Sequence, residues 1–149
     1  MYLSEILKEN KDEIIPKAVK TLAGANFQKY SLLDDDVNLE RLNNLFDLCI
    51  EAVSKKDVTQ FVTYVKHIAN ERYEKDYDFQ EVNAAFNALE ETIWSFILTN
   101  IEQENYREEL GRVTSVLSAG KETLAAMYAS LANKNKNITF SVSDLYCRE

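Results

Sequence analysis

Between Asp76 and Ile101 the chain reads DYDFQEVNAAFNALEETIWSFILTNI, and this stretch has few folding options other than one long helix. Asp78 followed three residues later by Glu81 is a capping box, in which each side chain takes one free backbone N–H of the first turn. Tyr77 and Val82 occupy the two positions of a hydrophobic staple. At about 100° per residue, Phe79, Val82, Phe86, Leu89, Ile93, Phe96 and Ile97 fall on one stripe with the width of a core-facing surface. Trp94, Leu98 and Ile101 form a second apolar strip beside it. A surface helix needs one apolar face, so the second strip is surplus and asks for a partner.

The rest of the chain repeats the helical period. Three glycines and one proline in 149 residues supply little for the turns of a β sandwich, and 46% hydrophobic residues suffice for one core. The expected fold is all-α, with five to six helices in a globin-like or bundle arrangement over residues 1–133. Leu3, Ile6 and Leu7 mark a short first helix. Asn10 and Glu13 make a second capping box, opening a helix that buries Ile14, Ile15, Ala18, Val19 and Leu22 and stops at Gly24. Pro16 lies inside it and predicts a kink or restart, because proline lacks the N–H and crowds the preceding turn. A loop over 26–36 is tacked down by Phe27 and Tyr30, with the Asp34–Asp36 run at the acidic start of the next helix. That helix, about Asn38 to Ser54, carries Leu42, Leu45, Phe46, Cys49, Ile50 and Val53 at i, i+3, i+4, i+7 spacing. Asp57 caps another, reaching about Glu74, with Val58, Phe61, Val62, Val65, Ile68 and Ala69 inward. The last helix starts near Glu104, and Gly120 sits on its apolar face, where close approach of another helix would account for it. Residues 134–149 read as an extended tail: Ile138, Phe140 and Val142 alternate with Thr139, Ser141 and Ser143, but no other strand is available to pair.

Composition removes several functional classes. A net charge of −8 argues against binding to nucleic acid or to an anionic membrane surface. No apolar run is long enough to span a bilayer, and the opening MYLSEILKENK lacks the order of a signal peptide, so the expected location is cytoplasmic. One histidine, His67, cannot supply the paired Glu-x-x-His motifs of a di-iron bundle. It falls opposite the apolar stripe of its own helix, where an axial haem ligand has no use. Two cysteines are too few for a structural zinc site. The aspartate run lacks both the calcium-loop glycine, replaced by Leu39, and the twelfth-position acid, replaced by Leu45. Glu90-Glu91 and Glu108-Glu109 are adjacent, diverge around their helices and read as solvated faces. No phosphate loop or nucleophile with a nearby base is present. No metal, cofactor or catalytic residue is expected.

Arg72 stands apart because it falls on an apolar stripe. A guanidinium there must find an acceptor or reach water. It either snorkels past the nearby helix end or, with Tyr73, lines a polar spot in the interior that takes a small anion or carboxylate.

The segment His67–Ile101, HIANERYEKDYDFQEVNAAFNALEETIWSFILTNI, resembles the centre of the N-terminal sensory domain of RsbR-type stressosome proteins. The likeness lies in the Ala69-Asn70-Glu71-Arg72 turn, the Asp78 cap, and Phe86 and Trp94 at their spacing; the opening LKENKDEII is similar too. The link Glu74–Tyr77 lacks the glycine often found there. The resemblance implies a globin-like fold without haem, a dimer, and a sensory role. In that family a kinase-docking STAS domain usually follows; here a short tail stands in its place, implying a module that acts without that effector or with one in trans. The functional expectation is therefore a non-enzymatic signalling module with a signalling protein as partner. Its homodimer interface is expected at Trp94, Leu98 and Ile101, and its ligand spot at Arg72 and Tyr73. The alternative is a small-ligand or haem carrier.

Overall fold

The computed structural model describes residues 1–25 and 35–139. Among these the chain is all-α and contains no strand. Six α-helices follow one another: α1 (Leu3–Glu9), α2 (Lys11–Ala23), α3 (Asp35–Lys55), α4 (Thr59–Glu74), α5 (Phe79–Asn100) and α6 (Arg107–Thr139), with a 3₁₀ turn at Gln103–Tyr106. The expected roles of Phe27, Tyr30 and the tail from Phe140 lie outside the described residues.

The predicted stripes are the core. Leu3, Leu7, Ile14, Leu42, Phe46, Cys49, Phe61, Val65, Leu89, Ile93 and Ile97 are all buried in one cluster. Helix α6 lies along α4 and also touches α3 and α5, while α2 packs on α5 and α3. Gly120 is the point of closest approach. A Cβ there would stand 2.6 Å from Phe61 Cε2 and 3.0 Å from Phe86 Cε1. The glycine hydrogen leaves room for the edge-to-face pair of Phe61 and Phe86, whose centroids are 6.5 Å apart.

Local predictions met three corrections. Asn10 makes no side-chain cap for α2. It is at once the C-cap of α1 and the N-cap of α2, and its amide Nδ2 donates back to the Ile6 carbonyl at 2.8 Å. Its own carbonyl still accepts from Glu13 N at 3.0 Å. Pro16 does not restart the helix: α2 runs through it, with the proline on the exposed side. Helix α6 continues to Thr139, past the boundary expected at residue 133, because neither glycine nor proline follows Gly120 before that point. At about 1.5 Å per residue, α6 spans roughly 50 Å. Among its residues 107–134, the last buried one is Tyr128.

The α4–α5 link shows how the chain manages without glycine. Asp76 takes φ 65°. Asp76 N bonds to Tyr73 O at 3.1 Å and Tyr77 N to Arg72 O at 2.9 Å. These two bonds form a Schellman cap, with Asp76 at the left-handed position where glycine is usual. Asp78 then starts α5 by accepting from Glu81 N at 2.9 Å. The Glu81 carboxylate does not complete the box, and its Oε2 is buried without a hydrogen-bond partner. The staple forms as read, with Tyr77 and Val82 both buried. Because Asp76 is exposed and left-handed, Asp76→Gly is expected to stabilise the fold by about 0.5–1 kcal/mol. Chemical denaturation checks this, and a loss of stability would show that the aspartate side chain matters more than the strain.

Candidate functional site

The residues predicted for a ligand spot separate around α4. Arg72 is only 6% exposed and turns toward α3 and α5. Tyr73, one residue on and about 100° round, turns to α6 and packs edge-to-face on Tyr128 with centroids 5.5 Å apart. Tyr73 does not line the interior space that Arg72 does. Beside Arg72 the cavity lining holds Arg41, Asn38 and Tyr64 rather than Tyr73.

These four polar residues line a cavity of about 30 Å³ between α2, α3, α4 and α5, walled by Leu42, Phe86 and other apolar side chains. Arg72 donates to the neighbouring Glu71 carboxylate. Glu71 also meets Lys75 Nζ at 3.3 Å. Burial raises its pKa, but Arg72, Lys75 and Arg41 outweigh that and hold the carboxyl below the usual range. The guanidinium carbons of Arg72 and Arg41 each lie 5.9 Å from the centre of the Tyr77 ring. Arg41 Nη1 also donates to the Tyr77 hydroxyl at 3.3 Å. Tyr77 is thus a π platform shared by two cations. Tyr64, half-buried, has its hydroxyl pushed above the ordinary range by burial, with Arg72 pulling against that.

A sequence signal for the missed residues existed. Asn38 and Arg41 stand four residues before Leu42 and Leu45, so they extend the α3 core stripe toward its N-terminus. Tyr64 stands four before Ile68 on α4. What periodicity does not give is that these two polar stripe ends meet.

The predicted interface strip is also narrower than its sequence pattern. Trp94 and Ile101 are half-buried against the core, and Leu98 alone of the three stands out, at 63% exposure. Helix α6 comes close on this side of α5: Lys121 Nζ reaches Glu90, one turn before Trp94, at 2.8 Å. Glu90 is therefore a helix tie rather than a merely solvated acid. Glu109 is another, since its Oε2 accepts from Leu3 N at 2.7 Å at the start of α1.

Two wider clefts open on the surface. One of about 580 Å³ lies where α1, the end of α3 and the start of α6 meet, with Lys56, Arg107 and Arg112 facing Glu104, Glu108 and Glu109. The other, about 700 Å³, runs between α1 and α3 under a mixed rim of lysines and acids. Neither concentrates one charge or a set of reactive groups. Among the described residues no three His, Cys, Asp or Glu side chains group as metal ligands. His67 is on the solvent side, its side chain 75% exposed and 3.9 Å from Glu71. Cys49 is buried, and desolvation, helped by Glu90, pushes its thiol up to about 12, so it stays protonated at neutral pH. Among the described residues, no helix is long and apolar enough to cross a membrane. No protein-family model, curated protein or solved structure matches this chain.

Proposed function

We propose that the chain is a non-enzymatic, cytoplasmic signalling module of the kind formed by RsbR-type N-terminal sensory domains: globin-like without haem, dimeric, and acting on a protein partner of its pathway. What supports the reading is surface that the monomer leaves uncovered. Leu98 projects from α5 beside half-buried Trp94 and Ile101. Helix α6 runs on from Tyr128 to Thr139 with no buried residue among 129–134. A second copy laid against both would cover the leucine and use the helix extension. The buried Arg72 with its small cavity gives such a module a place for an effector.

Light scattering on the full chain tests the dimer. The wild type is expected at twice the chain mass, and Leu98→Glu at the monomer mass with an unchanged helical circular dichroism spectrum. Leu98 is a cleaner probe than Trp94, because a charge at Trp94 would also disturb the core. A wild-type monomer at all concentrations sinks the dimer reading. The haem-carrier alternative has less support, since His67 faces solvent. The interior cavity, about 30 Å³, is also roughly tenfold below the usual lower size of a cofactor pocket. A Soret band in freshly purified protein would reverse that preference.

A further inference from the structure

We propose that the cavity between α3, α4 and α5 is a binding site for one small monovalent anion, chloride to nitrate in size, held between the guanidinium groups of Arg41 and Arg72. This rests on the effector half of the preceding reading and not on the dimer half.

The charge pattern is the first argument. Two guanidiniums, each permanently charged at any relevant pH, line the same cavity and each stand 5.9 Å from the centre of the Tyr77 ring. Among the described residues, none that lines the cavity is acidic. Glu71, the carboxylate paired with Arg72, sits outside the lining, is 37% exposed and is shared with Lys75. Among the described residues Arg41 has Tyr77 as its hydrogen-bond partner and forms no ion pair. Two cations at the edge of an apolar core repel each other more strongly than in water. An anion between them turns that repulsion into two attractions. The chain as a whole carries −8, so its long-range field repels anions, and binding here must come from this local arrangement rather than general attraction.

The donors and the space agree with the charge. Each guanidinium has five N–H donors and no acceptor. The bonds described above leave donors of both arginines without acceptors. Arg72 is 6% exposed as a residue, and none of its nitrogens is both fully buried and without a partner, so its remaining donors keep some contact with solvent. The Asn38 amide and Tyr64 hydroxyl add polar atoms to the lining. A volume of about 30 Å³ accommodates roughly two water molecules. That admits a halide or a three-oxygen anion.

The test uses the full chain. Crystals soaked in sodium bromide are expected to show an anomalous peak within hydrogen-bond distance of both Arg41 and Arg72. In thermal melts at fixed ionic strength, chloride, bromide or nitrate replaces gluconate, which is too large to enter. A tenfold excess over Kd is expected to raise Tm by about 3–6 °C. Arg41→Gln, at a half-buried position, is expected to fold and to abolish the rise. Bromide found only at surface lysines overturns the proposal, as does an equal rise in Arg41→Gln. Light scattering in the same buffers separates the two readings. A dimer with no anion response loses this site alone; a monomer with the response loses the dimer alone.

Discussion

Phe86→Ala is expected to cost about 3–5 kcal/mol, the largest single-residue effect we anticipate. Phe86 is 1% exposed. Its ring stands edge-to-face against Phe61, reaches the notch at Gly120, and forms part of the cavity wall beside Arg72. Truncation removes all three contacts at once. The space left cannot close easily, because Gly120 has no side chain to relax into it and α4 is held by the rest of its stripe. For a chain of 149 residues, Tm should fall by roughly 6–20 °C. Urea denaturation gives the free energy directly. A loss under about 1 kcal/mol would show that the core collapses around the gap and that Phe86 is not the wedge described.

The second large effect is Gly120→Ala, where two magnitudes oppose. Helix propensity alone favours alanine by about 1 kcal/mol. The new methyl would lie 2.6 Å from a buried aromatic carbon, and overpacking of this kind costs about 1–3 kcal/mol. Phe61 is fully buried, so its ring has nowhere cheap to go, and the net sign is expected to be destabilising. Gly111 provides the control. Nothing stands within 4 Å of a Cβ there, so Gly111→Ala should gain about the propensity difference and stabilise. The same substitution in one helix is thus expected to move Tm in opposite directions. Phe61→Leu should be less costly in the Gly120→Ala background than in the wild type, a coupling that a double-mutant cycle reads. Stabilisation by Gly120→Ala would mean that α4 and α6 are not as close as they stand here.

The helices were legible because each buries one stripe at period 3.6. On α4, Phe61, Val65, Ile68 and Ala69 are buried as read. Val58, read into that stripe, precedes the helix as its cap residue and is exposed. Features that depend on one residue serving two elements were not legible. Asn10 reads as a cap for α2 but closes α1, since spacing shows what a side chain can reach and not which of two offers it accepts. Trp94 reads as part of a surplus apolar strip, yet it is half-buried against the chain's own core. Arg72 stands out in the sequence because a cation in an apolar stripe is anomalous on one helix alone, and its side chain is buried. Its companion Arg41 is anomalous only once α3 is laid beside α4. The family likeness pointed to a missing glycine at the α4–α5 link; Asp76 takes the left-handed conformation that a glycine would have supplied.

The bond from the Tyr128 hydroxyl to the Tyr77 carbonyl, 2.8 Å long, joins residues 51 apart in sequence. Helices α4 and α5 with their short turn form a hairpin whose arms touch each other little: α4 packs chiefly on α6, and α5 on α2. The carbonyl of Tyr77 is buried in the finished fold, but its partner arrives only with the last helix. The turn of the hairpin therefore keeps an open hydrogen-bonding position until α6 docks across it. Any partner that draws α6 aside would expose that carbonyl again, so the stretch of α6 that crosses the hairpin also reports on whether the hairpin is latched.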